Sequence, residues 1–299
     1  MWILLAICSS VCLGIYDIFR KKSLENNAVL PVLMFSNITG ALIFLPVIVL
    51  SFTLPDLTKE SIVYTPFSGF TVHKFIFLKS IIVVSSWICT FFAFKYLPLT
   101  IASPIRSSAP LWTLLGALTL FGECLTLLQW IGLVVSLIFF FLFSFVGRKE
   151  GFSFRNNKWI WLLTLGTVLG ACSALYDKYL IQRFNRMEVQ AWFSVYQVVI
   201  MVPIVLLLWY PRRKLSTPFV WRWNILFIGL FLVIADFAYF YALSISGALI
   251  SVISVIRRAN VTISFSAGVL LFKEKNVKIK SILLTGLLFG IALMYIGTK

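Results

Sequence analysis

The chain has 299 residues, of which 61% are hydrophobic and 12% charged, and its mean hydropathy is +0.99. Such a composition leaves too little polar surface for a water-soluble domain. The 26 Lys and Arg against 10 Asp and Glu give a formal charge of +16, but the basic residues gather in short clusters between apolar runs, the pattern of membrane topology and not of nucleic-acid binding.

Apolar runs bounded by charge, Pro and Gly predict spans at 2–20, 29–52, 75–96, 100–121, 126–146, 159–181, 189–210, 223–244, 247–272 and 278–297. Each approaches the roughly 20 residues needed to cross about 30 Å of hydrocarbon. No basic residue precedes the first run and Arg20, Lys21 and Lys22 follow it, so it is expected to be a retained helix and not a cleaved leader. Only the 53–74 and 147–158 connections are substantial. The five cysteines lie in or beside apolar runs without a CxxC pair, and the single histidine, His73, falls in or near a connection. No metal, disulfide framework or cofactor is therefore expected.

The polar 147–158 stretch divides the chain near its midpoint, and the two sides repeat. Tyr16-Asp17 recurs as Tyr176-Asp177, and Asn37 recurs as Gln197, both 160 residues later. Further along, Arg106 matches Arg257 and Phe121-Gly122-Glu123 matches Phe272-Lys273-Glu274, now 151 residues later because the 53–74 connection is longer than 211–222. With the N-terminus outside, 16 basic residues flank the cytoplasmic span ends, against 7 (Lys59, Lys74, Lys79, Lys178, Arg183, Arg186, Lys299) on the other side, which favours both termini outside. The expectation is an all-α integral membrane protein of ten transmembrane helices, built as two inverted five-helix repeats over 1–149 and 150–299. Inverted repeats suit alternating access about a midplane site.

The segment FFAFKYLPLTIASPIRSSAP (91–110), the LFGE ending at 120–123 and the weaker copy YFYALSISGALISVISVIRRANV with LLFKE in the second half resemble the EamA-type branch of the drug/metabolite transporter superfamily. The resemblance spans nearly the whole chain, but its motifs are mostly small residues, Pro and a terminal Glu. It implies ten helices, a central cavity between the halves, and export or exchange of small metabolites across the plasma membrane. The sequence departs from the commoner pattern at Arg257-Arg258-Ala259-Asn260, where no Pro stands at the site equivalent to Pro110.

Charges within spans cost about 2.5–3.5 kcal/mol at a helix centre on insertion scales, so each needs a partner or a wet cavity. Asp236 and Arg257 lie about equally far before and after a turn near Ser246, which sets them at matching depth; they are expected to pair, either as a lock between helices or as cavity lining. Arg258, about 100° further round its helix, is left with positive charge to spare, unless a carbonyl or another acid takes it. Arg106 repeats Arg257 in the first half, where Trp87 stands opposite in place of an acid. The cavity is thus expected to be lopsided, with charge from the second half and aromatic surface from the first. Asn37 and Gln197 are either interhelical glue or substrate contacts. Asn260 shares a stripe with Arg257, Asp17 has a local partner in Arg20 or Lys21, and Asp177 has none, which makes it a gate or coupling candidate. Glu123 and Glu274 are expected to anchor span ends.

The reading that follows is a secondary transporter, not an enzyme, with a small anionic or zwitterionic substrate such as an amino acid or organic acid, set in a lipid bilayer. Gly286 and Gly290 on the tenth helix either pack within the chain or mediate a homodimer. The alternatives are an intramembrane enzyme or flippase for a lipid-linked substrate, and a scaffold. The enzyme lacks a nucleophile with an evident base, and a scaffold has no need of buried charge.

Overall fold

The computed structural model describes residues 1–96, 105, 106, 108–145, 157–260, 263 and 277–297. The regular structure there is helical: α1 (Trp2–Leu24), α2 (Val29–Thr53), α3 (Phe70–Tyr96), α4 (Ala109–Phe121), α5 (Leu127–Phe145), α6 (Lys158–Ile181), α7 (Arg186–Ile204), α8 (Asn224–Ser244), α9 (Ile250–Arg258) and α10 (Val277–Ile296), with a one-turn helix at Pro55–Thr58. Six segments among the described residues are long and apolar enough to cross a membrane: Trp2–Leu24, Val29–Thr53, Phe70–Ala93, Lys158–Ile181, Arg186–Arg212 and Asn224–Ser244. The chain is therefore a multi-pass membrane protein. Glu274 and most of the expected ninth span beyond Asn260 lie outside the described residues.

Local chemistry sets the helix ends. The Asn157 side chain accepts from Trp159 N, and Asn185 accepts from Met187 N and Glu188 N, satisfying amides that a helix start leaves open. Gly122, at φ 58, ends α4 in a left-handed turn that a side chain would resist. Two expected boundaries move. α1 runs on to Leu24, and α3 starts at Phe70 rather than 75, so His73 lies within a helix and not in a connection. Charge and polarity marked these ends in the sequence, but polar side chains in the terminal turn of a helix leave its backbone bonding intact.

Packing pairs α1 with α8, α3 with α6, α2 with both α7 and α8, α3 with α7, α4 with α6, α1 with α9, α4 with α9, and α5 with α10. Hydrogen bonds identify the two ends of the bundle. At one, the Asn27 side chain exchanges two bonds with the Val220 backbone, and Arg222 donates to Lys22 O. At the other, Ser68 N and Oγ donate to Glu188, and Thr126 Oγ1 donates to Gly297 O. Gly286 and Gly290 face Phe139 and Ser136 of α5, so the glycine face of the tenth helix is used inside the chain, where small residues let backbones approach. A homodimer through α10 would need its other face, where Ile282, Phe289 and Ile296 are exposed.

Candidate functional site

A cavity of about 220 Å³ lies among α1, α3, α4, α6, α7, α8 and α9. Its charged lining is Asp17, Arg20, Lys79, Arg106, Asp177, Asp236, Arg257 and Arg258. Four of these come from each half of the sequence, which corrects the expected lopsidedness. Sequence reasoning had counted Lys79 as a flanking charge, and had set Arg20 aside as part of a basic cluster after the first span.

Each aspartate has a cation. Arg257 Nη2 donates to Asp236 Oδ1 at 3.0 Å, as the depth argument expected, and its guanidinium lies 3.8 Å from the Tyr239 ring centre. Arg20 Nη2 meets Asp17 Oδ1 at 2.7 Å, while Asn260 Nδ2, just beyond α9, donates to Asp17 Oδ2 at 2.7 Å and so ties the chain there to α1. Asp177 does have a partner: Lys79 Nζ at 2.9 Å, whose ammonium also sits over the rings of Phe193 and Phe240, at 3.6 and 4.2 Å. Those faces are attractive ground for a desolvated cation. Arg258 lies on the same wall. None of the ion pairs formed among the described residues includes it.

The cavity is graded in depth. Lys79 and Asp177 keep 1% and 9% of their side-chain surface exposed, whereas Asp236 and Arg257 keep 18% and 20%, and Asp17 and Arg20 keep 17% and 19%. The dry end is thus the Lys79 end, toward Glu188. Behind it the Glu123 carboxylate accepts from Lys178 Nζ at 2.5 Å, from Ile250 N at 2.7 Å, and from Ser251 N and Oγ. One buried carboxylate therefore joins the end of α4 to α6 and to the first amides of α9. A carboxylate at a helix N-terminus is favoured twice, by open N–H groups and by the helix dipole. The anchoring expected of Glu123 is what the structure shows, with Lys178 as a partner that sequence reasoning missed.

Trp87 lines the main cavity, but Asn37 and Gln197 do not. They lie with Gln190 and Asp236 around a separate void of about 10 Å³, roughly the room one water needs. Both Asn37 amide atoms and Gln197 Nε2 are buried without a hydrogen-bond partner. These two amides therefore sit behind Asp236 and not beside a ligand in the cavity. The missed Lys79 carried one sequence signal: it is a lone cation within an apolar run, and α3 begins nine residues before it.

No curated protein matches the chain. A solved crystal structure, titled only as that of a protein, matches with a TM-score of 0.73 at 15% identity, over 99% of this chain and 96% of that one; at that identity the likeness is one of fold. The EamA-like transporter family model matches residues 1–145, which contain Asp17, Arg20, Lys79, Trp87 and Arg106. Residues 1–145 of this multi-pass membrane protein thus match the EamA-like transporter family, a likeness that supports a membrane transporter of small molecules.

Proposed function

We propose that the protein is a secondary transporter of a small anionic or zwitterionic metabolite, working by alternating access between two inverted repeats over 1–149 and 150–299, in the cell's plasma or inner membrane. The observation that carries this reading is the charged cavity lined from both halves. The helix packing supports the repeat. Exchanging each of α1–α5 with its counterpart among α6–α10 turns the α1–α8 contact into α6–α3, α2–α8 into α7–α3 and α1–α9 into α6–α4, while α2–α7, α4–α9 and α5–α10 map onto themselves. A pseudo-twofold of this kind lets two access states use one set of contacts.

The described state supports one half of such a cycle. The cavity is driest at Lys79 and Asp177, with the Glu123–Lys178 pair closing the bundle behind them. With both termini outside, that closed end is the outer one and the wetter Asp17–Arg20 end faces the cytoplasm. A lipid-linked substrate, as for a flippase or an intramembrane enzyme, is poorly served: about 220 Å³ falls below the roughly 300–1,000 Å³ of sites for drug-sized ligands.

Asp236→Asn tests the reading in proteoliposomes. It keeps the shape of the side chain and strips the counter-charge of Arg257, so uptake is expected to fall at least tenfold while membrane insertion persists. Recovery of wild-type uptake in the Asp236→Asn/Arg257→Gln double variant would make the pair a structural lock and remove it from the transport site.

A further inference from the structure

Between α7 and α8 the chain passes from apolar surface to dense positive charge within one helical turn. α7 continues through a π turn, Val205–Trp209, and a 3-10 turn, Tyr210–Arg212. Leu206, Leu207 and Leu208 are exposed there, Leu207 at 74%, and on a membrane-spanning segment such side chains meet acyl chains. Arg212, Arg213 and Lys214 follow, all exposed, with Arg212 about 6 Å of helix beyond Leu208. The basic triad therefore lies at the depth of the lipid headgroups. Tyr210 and Trp223, both exposed, bracket it, where amphipathic rings settle at a membrane–water boundary.

No acid occurs between Val205 and Trp223, and none of the ion pairs among the described residues includes a member of the triad. The Arg213 guanidinium sits 3.9 Å from the Tyr210 ring centre, which fixes its charge beside that anchor. Leu215, next in line, is 93% exposed; a leucine so placed beside three cations suits a surface that is anionic at its face and apolar beneath. The connection is also held from behind. The Asn27 side chain exchanges bonds of 2.7 and 2.8 Å with the Val220 backbone, Arg222 donates to Lys22 O, and Phe219 and Trp221 pack on Phe35 at ring-centre distances of 5.2 and 5.4 Å. On that neighbouring turn Lys22 adds a fourth exposed cation, against one exposed acid, Glu25.

We propose that the α7–α8 connection is a binding site for an anionic phospholipid, with Arg212, Arg213 and Lys214 on its phosphate and acidic headgroup and its acyl chains along Leu206, Leu207 and Leu208. Basic segments beside a membrane span attract anionic lipids. A soluble polyanion would meet the charge and leave the leucines against water; a phospholipid satisfies both. Because the connection is bonded to the turn that follows Arg20, the bound lipid steadies the chain at the wetter mouth of the cavity. The inference is independent of what the cavity carries.

The test is native mass spectrometry of the full chain released from nanodiscs of phosphatidylcholine and phosphatidylglycerol in equal parts. The wild type is expected to retain phosphatidylglycerol at least fivefold over phosphatidylcholine, and the Arg212→Gln/Arg213→Gln/Lys214→Gln variant less than twofold. Arg183→Gln/Arg186→Gln, which removes two cations at the α6–α7 turn, should keep the wild-type preference. In detergent, dihexanoylphosphatidylglycerol should raise the unfolding temperature of the wild type by at least about 2 °C, and dihexanoylphosphatidylcholine or inorganic phosphate should not. Equal retention of the two lipids by the wild type, or a preference unchanged in the triple variant, would overturn the site. A preference lost equally in Arg183→Gln/Arg186→Gln would reduce it to total charge and overturn it as well. Stabilisation by phosphate equal to that by the lipid would make this a free-anion site and overturn the phospholipid. If the triple variant does not assemble, Lys214→Gln alone decides: a lowered preference supports the site and an unchanged one overturns it.

Discussion

Asp177 and Lys178, adjacent on α6, carry opposite charges to opposite partners in the first half of the chain: Lys79 at 2.9 Å on α3 and Glu123 at 2.5 Å after α4. Two crossed ion pairs one residue apart pin α6 against two helices at the same depth. Asp17, the counterpart of Asp177, instead pairs within its own helix, with Arg20. The Asp177 end is thus tied across helices, whereas the Asp17 ion pair ties nothing to a second helix.

The Glu123 cluster is expected to behave as a latch. Glu123→Gln removes the charge that holds Lys178 and the α9 amides, so a cysteine placed at Ser254 in the cavity wall should become several-fold more reactive toward a charged maleimide applied from the Glu123 end. The charge-swapped pair Glu123→Lys/Lys178→Glu should recover less than half of the protection, because the backbone amides of Ile250 and Ser251 still need an acceptor. Unchanged labelling in Glu123→Gln would show that the closure rests on packing alone.

Lys79 and Asp177 separate stability from transport. Removing one member of a buried pair typically costs about 3–5 kcal/mol because a charge is stranded, whereas replacing both with apolar groups is often neutral. Lys79→Met is therefore expected to lower the thermal unfolding temperature markedly, and Lys79→Met/Asp177→Leu to restore it. Uptake should stay impaired in both, since the cavity has lost its deep charged wall. Restored uptake in the double variant would make the pair dispensable for transport.

Close packing of α5 against α10 gives a prediction free of charge. A Cβ on Gly132 would stand 2.5 Å from Gly290 O and 2.8 Å from Met294 N, and backbone atoms cannot move aside as a side-chain tip can. Gly132→Ala is expected to destabilise the protein by about 1–3 kcal/mol, the usual range for overpacking. Thermal unfolding in detergent measures it, and a shift under 1 °C would contradict the tight contact.

Orientation is the fourth expectation. Lys79 and Lys178 were counted among the 7 basic residues opposing the 16, but both are buried in ion pairs. Discounting them strengthens the bias that places 147–158 in the cytoplasm and both termini outside. Ser153→Cys should resist an impermeant label in intact cells and react after permeabilisation.

Much of the architecture was legible because periodicity and length speak locally. The apolar runs located the helices, and the Asp236–Arg257 pair followed from equal distances on either side of one turn. Lys79 with Asp177, and Glu123 with Lys178, were not legible. Their helices meet through the packing of the two halves, which no spacing along the chain announces, and Lys79 stood close enough to an apparent span end to pass for a flanking charge. Asn37 and Gln197 show the complementary failure. Their matched mid-span positions were read correctly, but a sequence carries no information on which side of Asp236 they lie.

The Lys79–Asp177 pair bears on how the protein is made. At about 5–20 residues per second, synthesis reaches Asp177 some 5–20 s after Lys79, so α3 enters the bilayer before its counter-ion exists. During that interval the lysine must reach for the interface along its own stem. The first half of the chain is not a unit of assembly, because α1 and α3 find α8 and α6, their main neighbours, only in the half made later. Residues 1–149 produced alone are expected to be degraded, and to be rescued when 150–299 is supplied as a second chain.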